Sequence, residues 1–167
     1  MGVSSYSDFN KRDLISSDTI MFDELDKVYI DYLVIYTTQK PTQQDWSFSL
    51  MPAVTACSYI AGGSGSKEET LVSLTITTIN DFDADHLANS NINDLFDYHG
   101  SYWEGLTSPI PLTQFLDGQT GNLQEEDLIL ELKKAPEINQ AFQLKVEMKL
   151  STGEEYEFET APIVILS

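Results

Sequence analysis

Three aspartates at alternate positions are the first candidates for chemistry in this sequence: Asp81, Asp83 and Asp85. Alternating carboxylates begin the calcium loop of an EF-hand, which also needs glycine at its sixth position and a bidentate glutamate at its twelfth. Counted from Asp81, those positions hold His86 and Ile92, so the sequence excludes an EF-hand. An irregular calcium site lined by the oxygens of the three aspartates stays open.

The same stretch also fits a polar connection between two strands. Asp and Asn side chains favour turns because they accept hydrogen bonds from nearby backbone amides. Phe82 and Leu87 would then hold the loop on the body of the protein. Charge favours the calcium hypothesis, because no lysine or arginine lies between Lys67 and Lys133, whereas many acidic residues do. A divalent cation would relieve their repulsion, but carboxylates that point into water need none.

An aromatic cluster, "DYHGSYWEG" at residues 97–105, is the second candidate. Tyr98, Tyr102 and Trp103 stand there among polar residues and glycines, which is typical of a loop. Exposed aromatic rings can stack on sugars or anchor a protein partner. The alternative is that Trp103 folds back over the core, as large aromatic side chains commonly do. We therefore predict ligand binding at these three residues, within an acidic region that runs from Asp81 to Trp103.

Signatures of catalysis are weak. The two histidines, His86 and His99, and the single cysteine, Cys57, cannot complete a structural zinc site without carboxylates. Cys57 lies in the apolar stretch "MPAVTACSYI", where cysteine commonly packs as an inert residue. Among 27 acidic residues, a carboxylate pair for glycoside hydrolysis stays open, but nothing singles one out. We predict no catalytic residues and no cofactor other than the calcium ion considered above, with a small hydrolase as a distant alternative.

Composition excludes several classes of partner. The chain has 167 residues, of which 9 are basic and 27 acidic, and its formal net charge is −18. Nucleic-acid phosphates and anionic lipids attract Lys and Arg and repel carboxylates, so we exclude nucleic acid and direct binding to an anionic membrane surface. Hydrophobic residues make up 41% and aromatic residues 11%, which indicates a folded chain. The acidic surface leaves a protein or a glycan as partner.

The elements that must position these residues have the alternation of β-strands. The stretch "AFQLKVEMKL" alternates apolar and polar side chains, which predicts a strand with one buried face. Its apolar residues are Phe142, Leu144, Val146, Met148 and Leu150. Similar strand chemistry marks residues 27–38, 45–51, 69–79, 127–134 and 155–166.

Details within these strands give further expectations. In the strand at 69–79, Val72, Leu74 and Ile76 are predicted to face the core, and Ser73, Thr75 and Thr77 are predicted to face water. Gly153 can take the positive φ of a tight turn, and Pro162 should interrupt the final strand. Helical signals are short, at 90–98 and 111–118, each with room for one or two turns.

Many short strands with brief helices in their connections predict an all-β protein, an antiparallel β-sandwich of immunoglobulin-like architecture. The polar residues 1–17 are predicted to be a flexible N-terminal arm. The single sandwich domain would therefore span residues 18–167.

Four segments together resemble an uncharacterised family of Bacteroidetes-type lipoproteins, defined only as a domain of unknown function. These segments are "SFSLMPAVTACS", "VSLTITTINDFDADHLANSNINDLF", "PLTQFLD" and "FQLKVEMKLSTGEEYEFETAPIVIL". The resemblance covers residues 22–167 and implies a secreted protein whose N-terminal cysteine carries a lipid anchor. This sequence lacks that cysteine, so Met1 and Gly2 would replace the leader, and the arm would tether the domain to a membrane.

The residues and the resemblance together predict a non-enzymatic lipoprotein domain of the cell envelope, in the periplasm or on the outer-membrane surface. It would act as a binding or structural module through its acidic, aromatic-bearing surface. The alternative is a carbohydrate-binding or adhesin-type module, with calcium as its possible ligand.

Overall fold

A computed structural model describes residues 4–8, 14, 18–31, 71–101, 105–118, 127–151 and 153–167. The strand predicted at 45–51 lies outside the described residues, as do Cys57, Tyr102 and Trp103. The strand predicted at 27–38 is described as far as Asp31.

Eleven strands and one α-helix form the regular structure of the described residues, with 3-10 turns at Phe22–Glu24 and Asn93–Leu95. The strands are β1 (Ser4–Asp8), β2 (Thr19–Met21), β3 (Leu25–Asp31), β4 (Leu71–Thr78), β5 (Phe96–Ser101), β6 (Gly105–Pro111), β7 (Asp127–Leu132), β8 (Ala141–Phe142), β9 (Leu144–Leu150), β10 (Glu155–Glu159) and β11 (Ile163–Leu166). The helix, α1, spans Leu112–Gly118. The predicted all-β class is confirmed.

Three hydrogen-bonded sheets surround one apolar core in a sandwich-like arrangement. The largest has five strands in the order β1-β3-β7-β5-β6. The other two have the orders β10-β9-β4 and β2-β11-β8. Neighbouring described strands run antiparallel, as predicted, except that β11 is parallel to β2.

Strand β9 shows most directly how sequence alternation makes the core. The one strand predicted over 141–150 is two strands in different sheets, since Phe142 lies on β8 and Leu144–Leu150 form β9. The five apolar residues predicted to face inward are nevertheless all 3% exposed or less. The polar residues between them face outward, and this prediction is confirmed. Burying one such side chain stabilises the fold by about 1.5–3 kcal/mol. The alternation therefore fixes which face of the strand points to the core, and with it the pairing register.

Strand β4 departs from strict alternation at its start. Leu74 and Ile76 are buried as predicted, but Val72 is 58% exposed and Leu71 is buried in its place. Thr77, which was predicted to face water, is buried, and it pairs with Asn91. The pairing of β4 with β9 shifts register between Leu71 and Ser73, which marks a β-bulge. A bulge inserts one residue and reverses which side chains face inward, so the prediction for Val72 was wrong.

The helix predicted at 90–98 is only a 3-10 turn, Asn93–Leu95, and the chain then continues as β5. Phe96 and Tyr98 are buried, while Asp97 between them is half-buried, which is the period of a strand. The aromatic segment that begins at Asp97 is therefore a strand as far as Ser101, where a loop was expected. The second predicted helix is confirmed as α1.

The N-terminal arm also differs from expectation. Residues Ser4–Asp8 form β1, which pairs antiparallel with β3 at one side of the five-stranded sheet. Leu14 is 5% exposed and belongs to the apolar core. These parts of the predicted arm are packed on the sandwich, because strand pairing and apolar burial outweigh the polar composition of the segment.

The C-terminal hairpin follows its sequence signals. Gly153 has φ of +90°, and the amide of Leu150 donates to the carbonyl of Glu154 to close the turn between β9 and β10. Pro162 lies between β10 and β11, which belong to different sheets. The predicted interruption is thus the point where the chain crosses from one sheet to another.

Candidate functional site

The aspartates lie in a connection that we call the acidic loop, residues 79–92, which leads from β4 toward the 3-10 turn Asn93–Leu95. Phe82 anchors it: the ring is 1% exposed and meets the ring of Phe142 edge-on, with centroids 6.1 Å apart. The predicted apolar anchor at Phe82 is therefore confirmed. The one predicted at Leu87 was wrong, because that side chain is 53% exposed.

Asp83 is the buried centre of the acidic loop, with its side chain 4% exposed. One carboxylate oxygen accepts hydrogen bonds from the backbone amides of Asp85, at 2.8 Å, and His86, at 2.7 Å. The other oxygen lies 2.8 Å from the ammonium of Lys134. Burial alone would raise the pKa of Asp83, but the bonds from Lys134, His86 and the two amides outweigh it and hold that pKa well below its usual range.

His86 stands between two carboxylates. Its Nδ1 is 2.8 Å from Oδ1 of Asp83, and its Nε2 is 3.3 Å from Oδ2 of Asp94. A neutral imidazole carries one N–H donor, so the ring can donate to both carboxylates only as the doubly protonated imidazolium. His86 therefore links the buried aspartate to the start of the following 3-10 turn.

The other two aspartates of the predicted calcium site do not share a centre with Asp83. Asp81 accepts a hydrogen bond from the amide of Ala88 at 2.8 Å, and Asp85 is exposed. Among the described residues, no group of three or more His, Cys, Asp or Glu side chains is arranged to hold a metal ion. The amide contacts of Asp81 and Asp83 confirm the alternative, a polar connection held by its own side chains, and the calcium site stays a prediction.

A second connection packs against the acidic loop; we call residues 133–140 the Lys134 loop. The carbonyl of Phe82 accepts hydrogen bonds from the amides of Glu137, at 2.7 Å, and Ile138, at 3.0 Å. Lys134 also donates to the carboxylate of Glu137 at 3.0 Å. Hydrogen bonds to Asp83 and Glu137 raise the pKa of Lys134. The two loops thus form one hydrogen-bonded unit.

Asn93 fixes the exit of the acidic loop to β4. Its side-chain oxygen accepts from the amide of Ile76, and its side-chain nitrogen donates to the carbonyl of Leu74, both at 2.8 Å. The amide of Ile92 donates to the carbonyl of Ile76 nearby. The side chain of Asn93 thus hydrogen-bonds one backbone amide and one backbone carbonyl of β4, as a neighbouring strand would do. The sequence gives no signal for this role, since Asn93 sits in an ordinary polar run.

Two large apolar side chains on this unit face water. Leu87 is 53% exposed and Ile138 is 55% exposed. Exposed carboxylates accompany them: the side chains of Asp94 and Glu137 are 58% and 63% exposed, and Asp85 is exposed as well. We call these five residues the tip surface. Sequence reasoning missed its apolar pair, because Leu87 was assigned to the core.

Tyr98, one of the three residues of the predicted aromatic binding site, is buried. This residue is 8% exposed, and its ring stacks on Phe115 of α1 with centroids 3.8 Å apart. The ring lies within the core, so it cannot stack on a ligand from solvent, and the expectation of an exposed ring is corrected. Tyr102 and Trp103 lie outside the described residues, so binding there stays a prediction.

A second ionic cluster crosses three strands of the five-stranded sheet. Lys27 of β3 lies 2.9 Å from the carboxylate of Glu131 of β7, and Nε2 of His99 of β5 lies 2.5 Å from the same oxygen. The hydrogen bond from Lys27, together with the charges of Lys27 and His99, lowers the pKa of Glu131. The cluster joins neighbouring strands, which is the ordinary role of opposite charges across a sheet.

The outward face of β4, β9 and β10 carries a shallow depression of about 330 Å³. Hydroxyls of Ser73 and Thr75 and the carboxylates of β9 and β10 line it. Lys145 pairs with Glu147 and Glu157, and Lys149 pairs with Glu155. Most of the carboxylate charge on this face is therefore balanced.

Comparison with known proteins gives no relative: no family model, curated protein or solved structure matches the chain. In the part of the chain that the structure describes, no helix has the length and apolar character needed to cross a membrane.

Proposed function

We propose that the chain is a non-enzymatic binding module of the cell envelope that holds a positively charged partner protein. One observation carries the proposal. Asp83 and His86 of the acidic loop and Lys134 of the Lys134 loop are the reactive groups of this unit, and both His86 and Lys134 are bonded to Asp83. We call these three residues the clasp. The carboxylates around that clasp, on Asp85, Asp94 and Glu137, face water.

Charge selects the kind of partner. A net charge of −18 on 167 residues attracts cationic surfaces and repels anionic ones over distances of a Debye length. A partner rich in Lys and Arg would be drawn to the protein before contact, and complementary charge would orient it at contact.

The resemblance to envelope lipoproteins supports the location. It implies a lipid-anchored N-terminal cysteine upstream of the domain, with the N-terminal segment as tether. The mature module would then meet its partner outside the cytoplasmic membrane.

Binding of labelled peptides tests the proposal. The intact chain is titrated into a lysine-rich peptide and into a glutamate-rich peptide of equal length, and fluorescence anisotropy is recorded at low and high salt. We expect binding of the lysine-rich peptide alone, weakening as ionic strength rises. Equal binding of both peptides, or of neither, would reject a cationic partner.

A pair of matched variants locates the contact. Asp85→Asn/Glu137→Gln removes two exposed charges beside the clasp, and Asp23→Asn/Asp117→Asn removes two exposed charges elsewhere. We expect the first to weaken binding of the lysine-rich peptide by about threefold or more relative to the second. Equal effects would mean that the whole surface contributes and that no contact is centred on the clasp.

The carbohydrate-binding alternative has one observation in its favour. The depression over β4, β9 and β10 offers Ser73 and Thr75 hydroxyls beside carboxylates, which are groups that hydrogen-bond sugar hydroxyls. A glycan array probed with the intact chain and with Ser73→Val/Thr75→Val tests it. Hits that the variant loses would favour this function over the first, and an array without hits would remove it.

A further inference from the structure

We propose that Leu87 and Ile138 form the apolar centre of a docking surface for a cationic amphipathic segment of a partner protein. The inference rests on the proposed function and adds to it the contact residues and the chemistry of the partner. The surface is the tip surface, in which three exposed carboxylates accompany the apolar pair.

The two apolar residues flank one buried anchor. The amide of Phe82 donates to the carbonyl of His86, which directly precedes Leu87, at 2.9 Å. The carbonyl of Phe82 accepts from the amide of Ile138 at 3.0 Å. Phe82 thus brings the backbones of both residues together, although they are far apart in the sequence. Both side chains are exposed, and they belong to one hydrogen-bonded unit, one on each loop.

Exposure of this pair is unusual for the described part of the molecule. Four large apolar side chains there are exposed: Met21, Val72, Leu87 and Ile138. Two of these four share one hydrogen-bonded unit. Exposed apolar side chains beside polar residues are typical of a contact surface, because a partner that covers them removes their apolar area from water.

The two loops that carry Leu87 and Ile138 are held in place by ionic contacts before any partner binds. Asp83 ties the acidic loop to the Lys134 loop through its contact with Lys134, and His86 ties it to Asp94. Binding to a surface held in place costs less conformational entropy than binding to one that must first be ordered. A small contact can therefore have useful affinity.

The charge of the residues that accompany Leu87 and Ile138 indicates which side chains the partner has beside its apolar residue. Asp85, Asp94 and Glu137 present exposed carboxylates. The two lysines of the Lys134 loop are paired with carboxylates: Lys134 lies between Asp83 and Glu137, and Lys133 lies 3.6 Å from Asp97. A segment with Lys or Arg on both sides of an apolar anchor matches this pattern. An anionic lipid surface would be repelled by the same carboxylates, so the partner is a protein segment.

Two peptides of equal length and equal lysine content test the inference on the intact chain. One has leucines along one helical face, and in the other serines replace the leucines. We expect the amphipathic peptide to bind the wild type more tightly. We expect Leu87→Ser/Ile138→Ser to lower its affinity by about tenfold while the affinity for the serine peptide stays the same.

Val72→Ser is the matched control, since Val72 is 58% exposed at the opposite end of β4 from the acidic loop. It should leave both affinities unchanged. Loss of affinity in the control as large as in the double variant would overturn the inference. Circular dichroism and thermal unfolding verify that each variant folds, which we expect because all three side chains are exposed.

The outcomes separate this inference from the proposed function. Equal binding of both peptides to the wild type would reject the apolar docking centre and leave a cationic partner standing. Binding of neither would reject both. Binding of phosphatidylcholine vesicles that the double variant abolishes would show a membrane contact and would overturn the assignment to a protein segment.

Discussion

The carboxylate of Asp83 and the ammonium of Lys134 lie 2.8 Å apart and join two loops from distant parts of the sequence. The carboxylate is buried and also receives two backbone amides and the ring of His86. A buried charge with this many donors is an organising centre, because each donor belongs to a segment that must reach it. Asp83 therefore joins the two loops together with the backbone hydrogen bonds that Phe82 accepts from Glu137 and Ile138.

Asp83→Asn should lower the free energy of unfolding by about 2–4 kcal/mol at pH 7. The amide replaces one acceptor oxygen with a donor, and it removes the buried counter-charge of Lys134, which keeps only the exposed carboxylate of Glu137. Urea unfolding followed by circular dichroism measures the change. Asp85→Asn is the control, since this exposed neighbour should change stability by less than about 0.5 kcal/mol. Similar losses of stability in both variants would show that the buried contacts of Asp83 do not stabilise the fold more than the exposed carboxylate of Asp85 does.

The contribution of Asp83 should disappear in acid. Its pKa is lower in the folded than in the unfolded protein, so its stabilisation is fully present above the unfolded value of about 3.9 and is lost as the pH falls toward the folded value. The difference in stability between wild type and Asp83→Asn should therefore be constant from pH 7 to pH 5 and shrink below about pH 4. Urea unfolding of both proteins across this range tests it. A difference that stays constant down to pH 2.5 would contradict the assigned cause.

Asn93→Ala should cost about 2–3 kcal/mol, because it leaves the amide of Ile76 and the carbonyl of Leu74 without their buried partner. Asn93→Asp should also destabilise at pH 7, since a carboxylate accepts from Ile76 but cannot donate to Leu74. Asn139→Ala, at an exposed position, is expected to change stability by about 0.5 kcal/mol. Hydrogen exchange at the amide of Ile76 gives a local measurement, and protection unaltered by Asn93→Ala would refute the bridge.

Calcium should not stabilise the protein. The oxygens of Asp83 already accept bonds from Lys134, His86 and two amides, and Asp81 accepts from Ala88. A cation would have to displace these donors. Differential scanning fluorimetry with 5 mM calcium, against 5 mM magnesium to match ionic strength, should show a difference of less than about 1 °C. A specific rise of several degrees with calcium that Asp81→Asn abolishes would restore the predicted site.

Features that depend on neighbouring residues were predictable from the sequence. The alternation of β9, the turn at Gly153 and the helix α1 each follow from local periodicity or backbone preference, and the structure has all three. The prediction for Val72 failed because a bulge depends on how two strands pair, which the sequence of one strand does not contain. Tyr98 was misplaced because the glycines around it suggested a loop, whereas pairing with β7 makes the segment a strand.

The candidate site was only partly predictable for the same reason. The interpretation of the aspartates in the acidic loop as acceptors of backbone amides is confirmed by Asp81 and Asp83. Lys134 could not be assigned to Asp83 from the sequence, since their contact depends on the packing of two loops. The exposed pair Leu87 and Ile138 was missed because an apolar residue in a loop is ordinarily assigned to the core.

Strand β11 lies between β2 and β8, so the sheet that contains the early strand β2 is completed by one of the latest. While the ribosome is still making the chain, Ile20 on β2 has no β11 to pair with in this sheet, and its side chain, buried in the finished fold, stays in water. Contacts between residues so distant in sequence form slowly. The nascent chain must therefore remain incompletely folded until Ile163–Leu166 have left the ribosome. Until then a chaperone can bind its exposed apolar residues and keep it from completing the fold.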